Sequence, residues 1–405
     1  MPHQIFPPQP DDAELLQQLM GQVHAFLPLL ERDEIRRFLK ALQGSVRDEL
    51  EQIGEYSRRE EALLAAIPQE SDYGALFRLH EELNALEMER FLCFYSVPAL
   101  HENCTSYRDV LAGRALELVQ AEMPHPPPLP FALISMGSDG REEQTLITDQ
   151  DYLIVYGDGD KEEADGYFKE FSTLLVERLS EIGFKKCTGG IMPSNDNWRG
   201  SLSQWQRRLL SIVRYECEDY GKNLMDLIVV SDARFVAGDR ELAGELVTRI
   251  RSVLQDYFLA LWGMAKAATE MQLALGFLKR FWTEGSGEHK GEFNLKLLAW
   301  APLVMNVRIL AINQGIPATS TVKRIELLER EKSFSGDTAR GLIEAYRILT
   351  KHRILLQIKV IKGITNNAYF LNPYSLPKDE RERMRHALLL IEDLQKIIHT
   401  NFSIV

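Results

Sequence analysis

Apolar residues recur at three- and four-residue intervals through the early part of the chain: Leu15, Leu19, Val23 and Phe26, then Ile35, Phe38, Leu39 and Leu42, then Leu76, Leu79, Leu83, Leu86 and Phe91. That spacing gathers them on one face of a helix. With the helix-like stretch at 111–123 it predicts an all-helical N-terminal region over residues 1–123. Residues 124–130 read PHPPPLP, with five prolines in seven positions. Such a run cannot continue a helix and favours an extended connection, so it marks a boundary. Beyond it the texture changes to short apolar runs of strand type at 131–136 (FALISM), 151–156 (DYLIVY) and 224–230 (LMDLIVV), with a helical pattern at 162–182 between them. Residues 124–250 therefore read as a mixed α and β domain. Helical periodicity then resumes over 251–405, broken by turn signals at 285–291, 315–317, 333–336 and 371–377. The fold class expected is α+β, a small mixed sheet flanked by N-terminal and C-terminal helical bundles.

Composition narrows the function classes. With 405 residues, 45% hydrophobic and 26% charged, the chain has the make-up of a folded globular protein of two or three domains. Its 47 basic and 59 acidic residues give a net charge of -12, the wrong sign for a protein that follows a phosphate backbone. Nucleic acid is not an expected partner. The four cysteines form no CxxC pair, and the first residues, MPHQIFPPQPDD, lack the basic start and apolar run of a signal peptide. The longest apolar run, 297–305, is too short to span a bilayer. A cytoplasmic protein with no membrane partner is expected.

One stretch carries chemistry: Gly137-Ser138-Asp139-Gly140-Arg141-Glu142-Glu143-Gln144, then Thr148-Asp149-Gln150-Asp151. A glycine after a buried strand lets backbone approach a phosphate, and the Ser138 hydroxyl can donate to an oxyanion there. Asp149 and Asp151, two residues apart on an extended segment, project to one face. Two carboxylates about 4 Å apart repel by roughly 4 kcal/mol at an effective dielectric near 20. They persist beside a cation, a shared proton or open solvent, and Mg2+ suits such an oxygen pair together with substrate phosphates. No GxxxxGK[ST] loop and no GxGxxG fingerprint is present. Arg141 is a candidate for phosphate charge, oriented by Glu142 or Glu143, against a salt bridge within the turn. Arg199, in the Gly- and Asn-rich segment beside Trp198, is a candidate for the triphosphate or base. Lys296, Arg308 and Arg353 interrupt apolar helical stretches and call for acidic or phosphate partners. If 224–230 is a regular strand, Asp226 and Asp232 share a face, and either could be a third carboxylate.

The motif GSDGREEQTLITDQD resembles the signature of the DNA polymerase β superfamily of nucleotidyltransferases. More closely, it is similar to a bacterial family of putative nucleotidyltransferases, often fused to CBS or cyclic-nucleotide-binding modules and related to the uridylyltransferase part of the PII-modifying enzyme. Further matches lie at 187–205 (CTGGIMPSNDNWRGSLSQW), at Asp232-Ala233-Arg234 and in the helices up to Asn372-Pro373. The resemblance implies a polymerase-β-like domain followed by a helical substrate-binding domain. It implies Mg2+-dependent transfer of a nucleoside monophosphate from a nucleoside triphosphate to an acceptor hydroxyl, with two Mg2+ ions on Asp149, Asp151 and Asp232 and the nucleotide on Gly137, Ser138, Arg141 and Arg199. The acceptor it implies is a PII-like regulatory protein, which places the chain in signal transduction. Tyr152 departs from the usual asparagine, no CBS module is visible, and no His-Asp dipeptide of a hydrolytic domain occurs. The alternative reading is a nucleotide-sensing module without turnover.

Overall fold

The structure is a computed structural model and describes residues 27–404, with Gln17, Met20, Gly21 and residues 23–25. Leu15, Leu19 and Phe26 of the first apolar pattern lie outside the described residues. Contacts divide the chain into two units, Met1–Ala62 and Leu63–Val405. In the first unit most of helix α1 (Arg32–Ala66) is solvated, and Phe38, Leu39, Leu42, Val46 and Leu50 are exposed.

The second unit opens with two helices, α2 (Tyr73–Phe94) and α3 (Val97–Glu122). Asp72 and Ser96 cap their first turns, and Pro98 sits in the first turn of α3, where no backbone donor is lost. The proline run then ends the helical stretch and delivers the chain to β1 (Phe131–Ser135). A four-stranded sheet runs in the order β5 (Arg199–Ser201), β3 (Tyr152–Tyr156), β1, β6 (Arg234–Gly238). β1 pairs antiparallel with β3, Phe131 opposite Tyr156 and Ser135 opposite Tyr152, and antiparallel with β6; β3 pairs parallel with β5. A separate parallel pair, β2 (Asp149–Gln150) with β4 (Lys185–Lys186), sets Asp149 opposite Lys185.

β1 and β3 are buried along their whole length, which is why both read as unbroken apolar runs. Helix α4 (Lys161–Glu181), started by an Asp160 cap on two backbone amides, lays Phe168 and Phe171 against Phe131. Helix α5 (Leu202–Val213) begins with a capping box at Ser201 and Gln204 and anchors Trp205, whose indole donates to the Ile154 carbonyl.

The apolar run at 224–230 is helical, which corrects its reading as a strand: it forms most of α6 (Tyr220–Val230), capped by Asp219. Leu224, Leu227 and Ile228 are buried at helical spacing, and the strand follows at β6. Helices α7 (Arg240–Asp256) and α8 (Phe258–Thr269) then lead to a five-residue π segment, Lys296–Trp300, that runs into α9 (Ala301–Asn313). Helices α10 (Thr321–Arg330), α11 (Gly336–Ile361) and α12 (Lys378–Asn401) complete a bundle around α9, which is buried almost all round. Residues 296–313 are apolar and long enough to cross a membrane, yet 72% of that stretch is covered by the fold itself.

Candidate active site

At the end of β1 the extended residue Met136 donates its amide to the Asp151 carbonyl at 2.8 Å, which draws the following turn against the DxD segment. Gly137 (φ +58°) opens a single helical turn, Gly137–Gly140. A Cβ at Gly137 would lie 2.5 Å from Asp151 Oδ2, and one at Gly140 would lie 2.1 Å from the Asp232 carbonyl oxygen. Both glycines are therefore required by close approach, the first to the carboxylate and the second to the backbone after α6. The Ser138 hydroxyl is partly exposed and makes no hydrogen bond among the described residues.

Asp149 is exposed, whereas Asp151 is largely buried at the start of β3. Burial, with the charges of Asp149 and Asp139 adding, pushes Asp151 up to about 6 against a hydrogen bond from Cys187. The Cys187 thiol is raised in turn to about 11, by burial and then by Asp151. Cys187 and Asp139 are the site residues that sequence reasoning missed. Asp139 lies inside the Gly-Ser motif, and Cys187 opens the GG-containing segment, but neither belongs to the DxD. One Asp139 oxygen accepts from Arg234 at 2.9 Å, while Oδ2 is buried without a partner among the described residues.

From the C-terminal helices Lys296 comes within electrostatic range of this carboxylate group, and Arg353 lies near Lys296. Lys296, in the π segment, lies over the Tyr369 ring and within electrostatic range of Asp149, Asp151 and Cys187. Burial lowers its pKa, Arg353 lowers it further, and those acids oppose the shift. Arg353, on α11, stacks on Trp300 with its guanidinium carbon 3.9 Å from the ring centroid, and burial lowers its pKa to about 10. Neither makes an ion pair among the described residues. With Asp149 and Asp151 also outside any ion pair among the described residues, these groups interact only at longer range and stay short of close counter-charge.

The remaining candidates are placed elsewhere. Asp232 is fully buried and spent on three arginines: Arg308 Nε at 3.1 Å and Arg324 at 2.9 Å on one oxygen, Arg141 at 2.7 Å and a second Arg308 nitrogen on the other. Those guanidiniums outweigh the cost of burial and hold its carboxyl well below the usual range. Both oxygens are thus occupied, so Asp232 has no lone pair free for a metal. Arg141 is engaged likewise, by Glu143 at 2.8 Å as well as Asp232, and Glu143 accepts from the Thr321 amide. Arg199 clamps its own loop through the carbonyls of Pro193 and Ser194 and through Asp196. Asp226, on the helix α6, meets Lys222 and Arg208 rather than the DxD. Arg308 pairs inside the protein.

Among the described residues no group of three His, Cys, Asp or Glu side chains forms a metal cage. The site fits a Mg2+ ion all the same: that ion takes one or two carboxylates and completes its shell with water and phosphate, and Asp149 and Asp151 are an uncompensated pair with the orphaned Asp139 Oδ2 nearby.

Residues 78–219 match the family model described as "Putative nucleotidyltransferase DUF294", and residues 258–402 match "Putative nucleotidyltransferase substrate binding domain". No curated protein matches the chain. The first match holds Gly137, Ser138, Asp149, Asp151 and Cys187, the second holds Lys296 and Arg353, and Asp226 and Asp232 fall between them.

Proposed function

The chain belongs to a family of putative nucleotidyltransferases, and from that premise we propose that it moves a nucleoside monophosphate from a nucleoside triphosphate to an acceptor hydroxyl, on a polymerase-β-like domain. The observation that carries this reading is the pair Asp149 and Asp151, neither in an ion pair among the described residues, beside the side-chain-free Gly137, with Lys296 in electrostatic range of both and Arg353 near Lys296. Asp149 and Asp151 would hold Mg2+, which supplies Lewis-acid polarisation of the phosphates when bound. Gly137 lets the turn close on the Asp151 carboxylate, and the free Ser138 hydroxyl donates to a phosphate oxygen. Lys296 and Arg353 neutralise the triphosphate and the pyrophosphate that departs as the acceptor oxygen bonds to the α-phosphorus. Asp139 replaces Asp226 and Asp232 as the third carboxylate, because its charge adds to that of Asp151, whereas Asp232 is taken by three arginines and Asp226 lies near Lys222 and Arg208. The acceptor follows from the sequence resemblance: a tyrosine hydroxyl of a PII-like regulator, with uridylyl as the group transferred.

Incubating the protein with Mg2+, cell extract and each α-labelled nucleoside triphosphate in turn should yield a labelled product from one of them. Asp149→Asn and Asp151→Asn should abolish labelling while the melting temperature stays level or rises, since each removes one member of a repelling pair. Full transfer in either variant would overturn the assignment. Saturable triphosphate binding with no labelled product would favour a nucleotide sensor.

A further inference from the structure

A cavity of about 670 Å3 borders Glu142, just after the Gly-Ser turn, and its lining includes none of Gly137, Ser138, Asp149, Asp151, Lys296 or Arg353. Its charged lining is Arg234, Arg240, Arg251 and Lys323 against the single carboxylate of Glu142. In a chain with net charge -12 such a local excess of cations is against the trend.

The partners of these cations decide what the cavity can do. Arg240 makes no ion pair among the described residues and lies over the Phe235 ring at 4.1 Å. Arg251 donates to the Pro317 carbonyl at 2.7 Å and has no acid. Lys323 has only an exposed contact with Glu326 at 3.5 Å, one turn along its own helix. Arg240, Gly244, Val247 and Arg251 are spaced along one face of α7, the two arginines about 16 Å of helix apart with Gly244 and Val247 between them. A Cβ at Gly244 would meet nothing within 4 Å, so the wall between the two arginines is open. Arg234 closes the inner end, donating to Asp109 at 2.7 Å and to Asp139 at 2.9 Å.

We propose that this cavity is a second binding site, for a small ligand carrying a phosphate or pyrophosphate group, held by Arg240 and Arg251 with Lys323 at the rim. Its volume is that of a small-molecule site, and planar guanidiniums match phosphate oxygens in pairs. An occupant meets Arg234, and through it the Asp139 carboxylate beside the Gly-Ser turn. The proposal is independent of the transferase reading, because it concerns residues outside that site.

Calorimetric titration of the full chain with inorganic pyrophosphate, in EDTA so that no divalent ion contributes, tests it. Saturable binding is expected in the wild type. Arg240→Ala combined with Arg251→Ala should weaken it by about tenfold or more, while Arg240→Lys with Arg251→Lys should retain most of it. Circular dichroism and melting temperature confirm that each variant is folded, which exposed substitutions on α7 allow. Absence of saturable binding by the wild type, or its survival in the double alanine variant of α7, would each overturn the proposal.

Discussion

As letters on one face of a supposed strand Asp232 and Asp226 both qualify as a third carboxylate, with the family resemblance favouring Asp232, yet they are opposite in energy. Asp232 neutralises three buried arginines, so Asp232→Ala strands Arg141, Arg308 and Arg324 in the interior. A loss on the order of 3–5 kcal/mol is expected, read by urea denaturation. Asp226, half-buried near Lys222 and Arg208, should change stability by about 0.5 kcal/mol or less as alanine. A small loss at Asp232 would mean that the arginines find other partners or water. The Gly-Ser turn and the DxD were legible because their spacing is local and their glycines answer to steric contacts within the motif. The engagement of Arg141 was not, since half of it depends on a carboxylate 91 residues further on, which no spacing rule connects to it. Asp139 was overlooked for a related reason: in a Gly-rich turn an aspartate is the ordinary turn residue, and only burial with a bare Oδ2 sets it apart.

Elements repeat this division between local and distant causes. β1 and β3 could be read from apolar runs, and the bundle helices from their periodicity. Residues 224–230 were ambiguous, because a short run that is apolar at every position but one fits a buried strand as well as a buried helix. What settled it was the Asp219 cap and the packing of α6 against α5 and α8. The turn that carries the site leaves no slack: Gly140→Ala would drive a methyl group into the Asp232 carbonyl, which is backbone and cannot rotate away. A lowered melting temperature is expected, together with loss of transfer, because the turn must shift relative to Asp151. Helix α2 is docked by a titrating group. His80 donates from Nδ1 to the Ile182 carbonyl at 2.7 Å, which leaves Nε2 to accept from Arg108 at 3.3 Å. Burial, then the Arg108 charge, lowers its pKa to about 3. The folded state therefore binds this proton less readily than the unfolded chain, so its stability contribution is intact above about 6.5 and declines as pH falls from there towards 3. His80→Gln should flatten the melting temperature against pH across that interval, at some cost in stability at pH 7. An unchanged slope would show that other groups govern acid unfolding.

At the scale of the whole molecule, the carboxylates come from one end of the sheet and the unpaired cations from the C-terminal helices, 258–402, so neither sequence half could reveal the other's role. Helices α9 and α10 also supply Arg308 and Arg324 to Asp232. A fragment ending near residue 250 would thus lose Lys296 and Arg353 from the site and two of the three guanidiniums that offset a buried charge. The unit Met1–Ala62 stands differently. None of the side chains named in the site, in the Asp232 network or in the second cavity comes from it, and the core of the other unit begins at Leu63 and Ile67. A chain of residues 63–405 is therefore expected to fold with the urea midpoint of the full protein, to bind pyrophosphate as tightly, and to transfer the labelled nucleotide at the same rate to a small acceptor. Denaturation followed by near-ultraviolet circular dichroism, with the labelling assay on the same preparation, checks each part. A preserved midpoint with lost labelling would assign the first 62 residues to capture of the acceptor, whereas a lowered midpoint would show that they support the fold of the catalytic unit.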